Sequence, residues 1–188
     1  MSVITISRQM GSRGDELAQQ VAERLGWRQV GQDLINQAAL AAGAPQVALA
    51  EIDELGFFNL RPTTHERQVY QSHIERIIRE LANEGNIVIV GRGGQVILSG
   101  WPNVFHVRII TPLDTRIAWL QQENNISVEA ARARLEKSNQ SRARYLWRNY
   151  GRHLDDPELY HLIINTALIP LPQAINLLVN SYREWITE

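Results

Sequence analysis

The stretch Val3-Ile4-Thr5-Ile6-Ser7-Arg8-Gln9-Met10-Gly11-Ser12-Arg13-Gly14-Asp15 stands near the start of the chain and decides its fold. Its first five residues are mostly β-branched, which predicts a short strand. After a loop that holds two glycines, the segment Glu16 to Leu25 (ELAQQVAERL) places Leu, Val and Leu at positions i, i+4 and i+8. That spacing predicts an amphipathic helix, which ends at Gly26. A strand, a glycine loop and a helix form the first half of a βαβ unit.

The loop has the composition of a phosphate-binding loop without its lysine. Glycines let consecutive backbone N–H groups turn toward one anion, and the following helix adds its positive N-terminal end. In the standard motif G-x-x-x-x-G-K-[ST], Gly14 would stand at the lysine and Asp15 at the hydroxyl residue. Because Lys137 is the one lysine of the chain, a phosphate here must be held by backbone groups and by Arg8 and Arg13. The alternative is an ordinary turn between strand and helix, with Asp15 as a first-turn acid favoured by the helix dipole.

Strands and helices alternate through the rest of the chain. Apolar runs predict further strands at Ile87 to Val90, Val104 to Ile110 and Leu162 to Asn165. Helical patterns occupy Asp33 to Ala42, Val47 to Leu55, His65 to Asn83, Gln95 to Leu98, Pro112 to Gln122, Ser127 to Gly151 and Leu171 to Ile186. Gly56 to Thr64 is predicted to be a loop, and the helical region after Ser127 is either continuous or broken near Asn139. The alternation predicts an α/β fold of three layers, with a mostly parallel sheet flanked by helices.

Composition limits the classes of function. A chain of 188 residues with 44% hydrophobic content suits one domain over residues 1–188. The net charge of −1 argues against general nucleic-acid or anionic-membrane binding. No cysteine is present, and the five histidines show no metal-ligand spacing, so we predict no metal site of protein ligands. The sequence shows no secretion signal or membrane-length apolar run, so we expect a cytoplasmic protein without a membrane partner. A homodimer is compatible with the sequence.

A second site that combines glycine and arginine follows a buried strand. Gly91-Arg92-Gly93-Gly94 comes directly after the apolar run Ile87 to Val90. Ligands bind at the carboxyl ends of the strands in open parallel sheets. Arg92 is therefore the residue that we expect to face a ligand. The alternative is a glycine turn with a solvated arginine.

Arginines cluster in the long helical region near the end of the chain. The basic residues are Arg132, Arg134, Lys137, Arg142, Arg144, Arg148 and Arg152, with Tyr145, Trp147 and Tyr150 among them. Such a run is usually a solvated face, but acids are scarce between Glu136 and Asp155. This predicts a lid over residues about 125–155 that closes over phosphates and excludes water. RNA binding by the same arginines and aromatic rings is an alternative.

Four segments together resemble the cytidylate-kinase-like family of P-loop nucleoside monophosphate kinases. They are ITISRQMGSRGDELAQQVAERLGW (4–27), IVIVGRGGQVIL (87–98), NQSRARYLWRNYG (139–151) and DDPELYHLIINT (155–166). Their order matches the family over almost the full chain. The resemblance implies a P-loop NTPase-type fold and a helical, arginine-rich lid. It also implies ATP with Mg²⁺ as the phosphoryl donor and a nucleoside monophosphate, CMP-like, as the acceptor.

The resemblance also implies roles for individual residues. The residues matched to the binding of donor phosphates are Ser7, Arg8, Gly11, Ser12 and Gly14. The residues matched to the acceptor are Asp33, Gly91, Arg92, Gly93 and Tyr145. The residues expected to stabilise the transferring group are Arg13, Arg142 and Arg148. No metal ligand is implied.

Three positions depart from the family's pattern. The family loop commonly has G-S-G-G-R, and this chain has Gly-Ser-Arg-Gly-Asp from Gly11 to Asp15. In the family, an acidic and a basic residue follow the second strand, and this chain has Gly31-Gln32 there. The family's lid also carries an aspartate, and this chain has Asn139 at that position. Each change removes charge that would orient an arginine or a metal. Beside RNA binding, two functions therefore stay open: a nucleoside monophosphate kinase, or a catalytically inactive sensor or partner protein that binds a nucleotide or another phosphorylated ligand.

Overall fold

The computed structural model of the chain describes residues 2–45 and 63–187. Its strands are β1 Val3–Arg8, β2 Arg28–Val30, β3 Ile87–Val90, β4 Val104–Ile110 and β5 Leu162–Asn165. Its helices are α1 Gly14–Leu25, α2 Gln32–Ala41, α3 Thr64–Glu84, α4 Gly94–Ile97, α5 Leu113–Asn124, α6 Val128–Tyr150 and α7 Leu171–Ile186. The predicted helix Val47 to Leu55 lies outside the described residues, as does most of the predicted loop Gly56 to Thr64. None of the described helices is long and apolar enough to cross a membrane.

The five strands form one sheet in the order β2-β3-β1-β4-β5, and every neighbouring pair is parallel. β1 lies at the centre between β3 and β4, so the strand order reverses beside it. In an open parallel sheet such a reversal creates a crevice at the carboxyl ends of the strands. The loop after β1 and the turn after β3 both leave the sheet at this crevice.

Helices cover both faces of the sheet because successive side chains of each strand point to opposite faces. On one face, Ile4 and Ile6 of β1 pack with α1 and α7. On the other face, Val3 of the same strand packs in a cluster with α2, α3 and α4. A smaller cluster around Leu120 and Leu135 joins α5 to α6. The predicted three-layer α/β fold with a parallel sheet is confirmed.

One element differs from the sequence-based prediction, and another decides between two alternatives that the sequence left open. β2 adds a fifth strand, which was missed because it has only three residues and only Val30 of them is buried. α6 is not broken near Asn139 but runs through it as one helix of 23 residues. Its ends are well defined, because the Ser127 hydroxyl accepts from the N–H of Ala130 and Gly151 takes a left-handed conformation. The Asn139 side chain accepts from Arg116 instead of competing for the helix backbone.

Candidate active site

A cleft lies at the carboxyl ends of β1 and β3, against α6. Seven residues that were predicted from the sequence line it, namely Ser7, Arg8, Gly91, Arg92, Gly93, Arg142 and Tyr145. They meet there because the parallel pairing of β1 with β3 places the two following turns side by side. Gln32, at the start of α2, lines the cleft as well, and its predicted neighbour Asp33 is exposed in the first turn of that helix.

The loop after β1 needs its glycines. Gly11 has a φ of 73°, a left-handed conformation that glycine adopts without strain. A Cβ added to Gly14 would lie 2.5 Å from the Cβ of Arg8, which is too close for any side chain. The position of the standard lysine is therefore closed to every residue except glycine. The first turn of α1 leaves backbone N–H groups without helical partners, as an anion site requires.

Arg8 packs against this loop and links it to the neighbouring elements. Its Nε donates to Oδ1 of Asp15 at 2.9 Å, and its carbonyl oxygen accepts from Nη1 of Arg142 at 2.5 Å. A Cβ on Gly91 would lie 2.9 Å from Nη1 of Arg8. The Arg8 side chain is buried, whereas that of Asp15 is 67% exposed. A surface carboxylate thus neutralises the arginine that packs against the loop.

Two other predicted loop residues face different partners. Ser12 is fully buried, and its hydroxyl donates to the carbonyl oxygen of Gln9 at 2.8 Å. Arg13 caps α1 in a left-handed conformation and pairs with Glu16 at 2.9 Å. The Cζ of Arg13 lies 6.0 Å from the ring centroid of Trp119 in α5. Ser12 therefore braces the loop, while the Arg13 side chain is 41% exposed beside α5.

Arg92 and Tyr145 form the other wall of the cleft. Arg92 is buried in a left-handed conformation, and its Nε donates to Oδ1 of Asn36 at 2.8 Å. Its Cζ lies 5.7 Å from the ring centroid of Tyr145, whose hydroxyl donates to Oε1 of Gln71 at 3.1 Å. Burial raises the pKa of Tyr145, so its hydroxyl keeps the proton that it donates. Sequence reasoning missed Asn36 and Gln71, which hold these two side chains in place.

A second group of arginines on the β4 side was also missed. Arg108 lines an adjoining cleft together with Arg8 and Arg142. Arg116 in α5 lies close by, and its Nη1 donates to Oδ1 of Asn139 at 3.3 Å. Burial lowers the pKa of Arg116, and the charges of Arg142 and Arg108 lower it further. Positive charge is therefore concentrated where the loop, β4 and α6 meet. For Arg108 the available signal was an arginine inside the mostly apolar segment VFHVRII.

The face of α6 that meets the site carries one arginine of the basic cluster, Arg142. Arg142, Tyr145 and Leu146 line the main cleft, which is an i, i+3, i+4 pattern. Arg144 is exposed, and Arg148 lines a separate cleft against α3. The predicted catalytic role of Arg148 stays a prediction.

Comparisons with known proteins settle the family. The model of the cytidylate kinase-like family matches residues 3–168. The chain belongs to this family. It is 34% identical over 170 residues to the cytidylate kinase of Pyrococcus horikoshii, a match that covers 88% of this chain and 80% of that protein.

The fold agrees with family membership. A crystal structure of an uncharacterized protein from Eubacterium ventriosum superposes with a TM-score of 0.79 at 21% identity, over 97% of this chain and 98% of that one. A gluconokinase from Sinorhizobium meliloti superposes with a TM-score of 0.60 at 14% identity, over 99% of this chain and 94% of that one. This member of the cytidylate kinase-like family thus has the P-loop kinase fold, and its homology supports a nucleotide-kinase-like function.

Acidic and histidine side chains do not form a metal cluster in residues 2–45 and 63–187. No group of three or more His, Asp or Glu residues in these ranges is arranged to hold a metal ion. The carboxylate of Asp15 stands at the position of the standard loop hydroxyl, where Mg²⁺ would accompany a nucleotide. Carboxylate oxygen suits that ion, but this oxygen already accepts from Arg8.

Proposed function

We propose that this protein transfers the γ-phosphoryl group of ATP to a nucleoside monophosphate, with CMP as the preferred acceptor. One observation carries the proposal: Arg8, Arg92 and Arg142 come from three separate elements and line one cleft at the carboxyl ends of the strands. Phosphoryl transfer needs positioning and positive charge more than covalent chemistry. A site built of arginines can meet both needs without a lysine.

On the donor side, the backbone of Gly11 to Gly14 and the side chain of Arg8 hold the phosphates of ATP. Arg142 reaches them from α6, because its guanidinium already contacts the carbonyl oxygen of Arg8. An oxygen of the acceptor phosphate attacks the γ-phosphorus, the bond to the β–γ bridging oxygen breaks, and ADP leaves with that electron pair. The arginines neutralise the charge that develops on the transferring group.

On the acceptor side, Arg92 binds the phosphate of the monophosphate. Its guanidinium is held by Asn36 through one nitrogen, which leaves its other two nitrogens able to bind oxygen in a fork. Tyr145 lies beside it and gives the sugar or base an apolar surface with a polar tip. The same proposal makes Asp33 an acceptor-binding residue and makes α6 part of the lid that closes over the phosphates.

Magnesium would neutralise the phosphates of ATP at this site. The carboxylate of Asp15 is the group of the loop that would hold the ion. That carboxylate now accepts from Nε of Arg8.

A second candidate function is binding without turnover. The pair of Arg8 and Asp15 favours it, because a carboxylate beside the phosphate loop opposes an anion and occupies the arginine. Under this alternative, the protein binds a nucleotide or another phosphorylated ligand and acts as a sensor or partner protein.

A coupled assay tests the first function. Purified protein is given ATP and Mg²⁺ with CMP, dCMP, UMP, AMP or GMP in turn, and ADP release is measured. We expect CMP to be the best acceptor. Arg92→Ala should reduce kcat/KM for CMP about 10- to 100-fold, the effect of losing charge-assisted hydrogen bonds to phosphate. Arg76→Ala is the control, since Arg76 pairs with Glu80 on the exposed side of α3.

Calorimetry separates the two functions. Turnover with CMP that is lost in Arg92→Ala and kept in Arg76→Ala supports the kinase. Nucleotide binding by a folded protein that releases no ADP with any acceptor rejects the kinase in favour of the binding protein. Binding of no phosphorylated ligand at all rejects both.

A further inference from the structure

We propose that Arg108 of β4 binds the polyphosphate of the nucleoside triphosphate and supplies the positive charge that the loop lacks at its lysine position. This inference rests on the proposed function, because it assigns a further residue to the donor side of the same site. The ligand class is a nucleoside triphosphate or diphosphate, recognised through its terminal phosphates.

Arg108 lies beside the start of the loop because of the sheet register. It is opposite Ser7 in the parallel pairing of β1 with β4. Its Nη1 donates to the hydroxyl of Ser7 at 2.9 Å, and its Nη2 donates to Oδ1 of Asp155 at 2.6 Å. Its Cζ lies 5.7 Å from the ring centroid of Tyr160. These contacts hold the guanidinium at one place and in one orientation before any ligand arrives.

The surroundings of Arg108 fit an anion. Arg8, Arg108 and Arg142 line one cleft, together with Asn139 and Asp155. Three guanidinium groups in one partly buried cleft repel each other, and that repulsion falls when a polyanion binds. Asp155 is the one acidic residue among the described residues that line this cleft. Arg8 is paired with Asp15 and Arg108 with Asp155, so three guanidinium groups of the cleft face two carboxylates.

Asp155 occupies the place at Arg108 that a phosphate oxygen would take. The Arg108 side chain is 3% exposed, whereas that of Asp155 is 84% exposed. An exposed carboxylate gains little from its ion pair, so a phosphate group can displace it at small cost. The planar guanidinium binds two phosphate oxygens as readily as it binds a carboxylate.

The competing explanation is structural. Arg108 then serves only to tie Ser7 in β1 to the segment that contains Asp155. The two explanations differ in what they predict for Asp155. If Arg108 binds phosphate, removing the charge of Asp155 frees Arg108 and does not weaken ligand binding. If the pair is only a structural tie, losing either partner has the same consequence.

The experiment measures ATP and ADP binding by calorimetry with Arg108→Met, Arg108→Lys and Asp155→Asn. We expect Arg108→Met to weaken ATP binding about 10- to 100-fold and Arg108→Lys to weaken it less. We expect Asp155→Asn to bind ATP as tightly as the unmodified protein or more tightly. Where turnover is measurable, Arg108→Met should raise KM for ATP and leave KM for CMP within about threefold. Arg183→Met, an exposed arginine of α7, is the charge-matched control.

Urea unfolding of each variant accompanies the binding data. Arg108→Met with unchanged ATP affinity overturns the proposal, as does Asp155→Asn with a loss equal to that of Arg108→Met. If Arg108→Met does not fold, Arg108→Gln keeps a donor for Ser7, and its ATP affinity then decides. Because calorimetry needs no turnover, a protein that binds ATP through Arg108 without phosphorylating CMP rejects the proposed kinase activity and keeps this inference.

Discussion

Asp15 is the single residue that most limits the phosphate site. Its carboxylate holds Nε of Arg8 at 2.9 Å, at a loop position where the standard motif has a hydroxyl. It places negative charge beside the phosphates and competes with them for the arginine. We predict that Asp15→Asn raises the affinity for ADP in the absence of Mg²⁺ by about three- to tenfold, as expected for removing one partly solvated like charge. Asp15→Arg should raise it further.

Calorimetric titration with ADP measures the change, and Glu23→Gln is its matched control. Glu23 is an exposed acid at the opposite end of the same helix α1. Glu23→Gln therefore removes one charge without changing the loop. An increase in both variants would indicate a general charge effect. Unchanged or weaker binding in Asp15→Asn would contradict the loop as a donor site.

Which arginines line the cleft was predictable where glycine accompanies arginine after a strand. Arg8 and Arg92 satisfy that rule, because glycines at strand ends mark where backbone and ligand approach each other. Arg108 and Arg116 do not, since one lies inside a strand and the other inside a helix. Their roles depend on a register and a helix packing that sequence spacing does not specify. Arg13 followed the rule, but it pairs with Glu16.

At the scale of elements, the turn after β3 and the end of α6 fit each other through Gly93. This glycine has a φ of 73°, and an added Cβ would lie 2.9 Å from Cε2 of Tyr150. We predict that Gly93→Ala lowers the free energy of unfolding by about 2–3 kcal/mol, because it combines backbone strain with a clash. Displacement of Tyr150 should also shift α6 and raise KM for the acceptor.

Gly100→Ala isolates the clash from the strain. Gly100 has a φ of 74° and no atom within 4 Å of an added Cβ. Gly100→Ala should lower the free energy of unfolding by only about 1 kcal/mol and leave the KM for the acceptor unchanged. Urea unfolding and steady-state kinetics of both variants provide the comparison. Equal losses of stability and an unchanged KM in both would show that the contact with Tyr150 does not position α6.

The elements themselves were largely predictable from periodicity and caps. The bounds of β3, β4, β5 and α7 agree with the predicted ones. β2 has too few residues to show a period, so it was missed. The sequence left a break in α6 near Asn139 open because an asparagine side chain can compete for the helix backbone. In this helix Asn139 instead accepts from Arg116.

At the scale of the whole molecule, the sheet buries a histidine that should make stability depend on pH. The Nδ1 atom of His106 in β4 lies 2.7 Å from the hydroxyl oxygen of Thr5 in β1. Burial, together with the nearby His161, lowers the pKa of His106 to about 4. In the unfolded chain the ordinary value applies, near 6.5. Above that value both states leave the ring neutral, so its contribution to stability is fully present.

Stability should fall as the pH drops from about 6.5 to about 4, because only the unfolded chain then takes up the proton. We predict that the free energy of unfolding at pH 5 is about 2 kcal/mol below that at pH 7.5 from this group. Urea unfolding at a series of pH values measures it. His106→Gln should be less stable at pH 7.5 but lose less stability on acidification, since glutamine can bond Thr5 without titrating. If the variant and the unmodified protein show the same pH slope, His106 is not the group responsible.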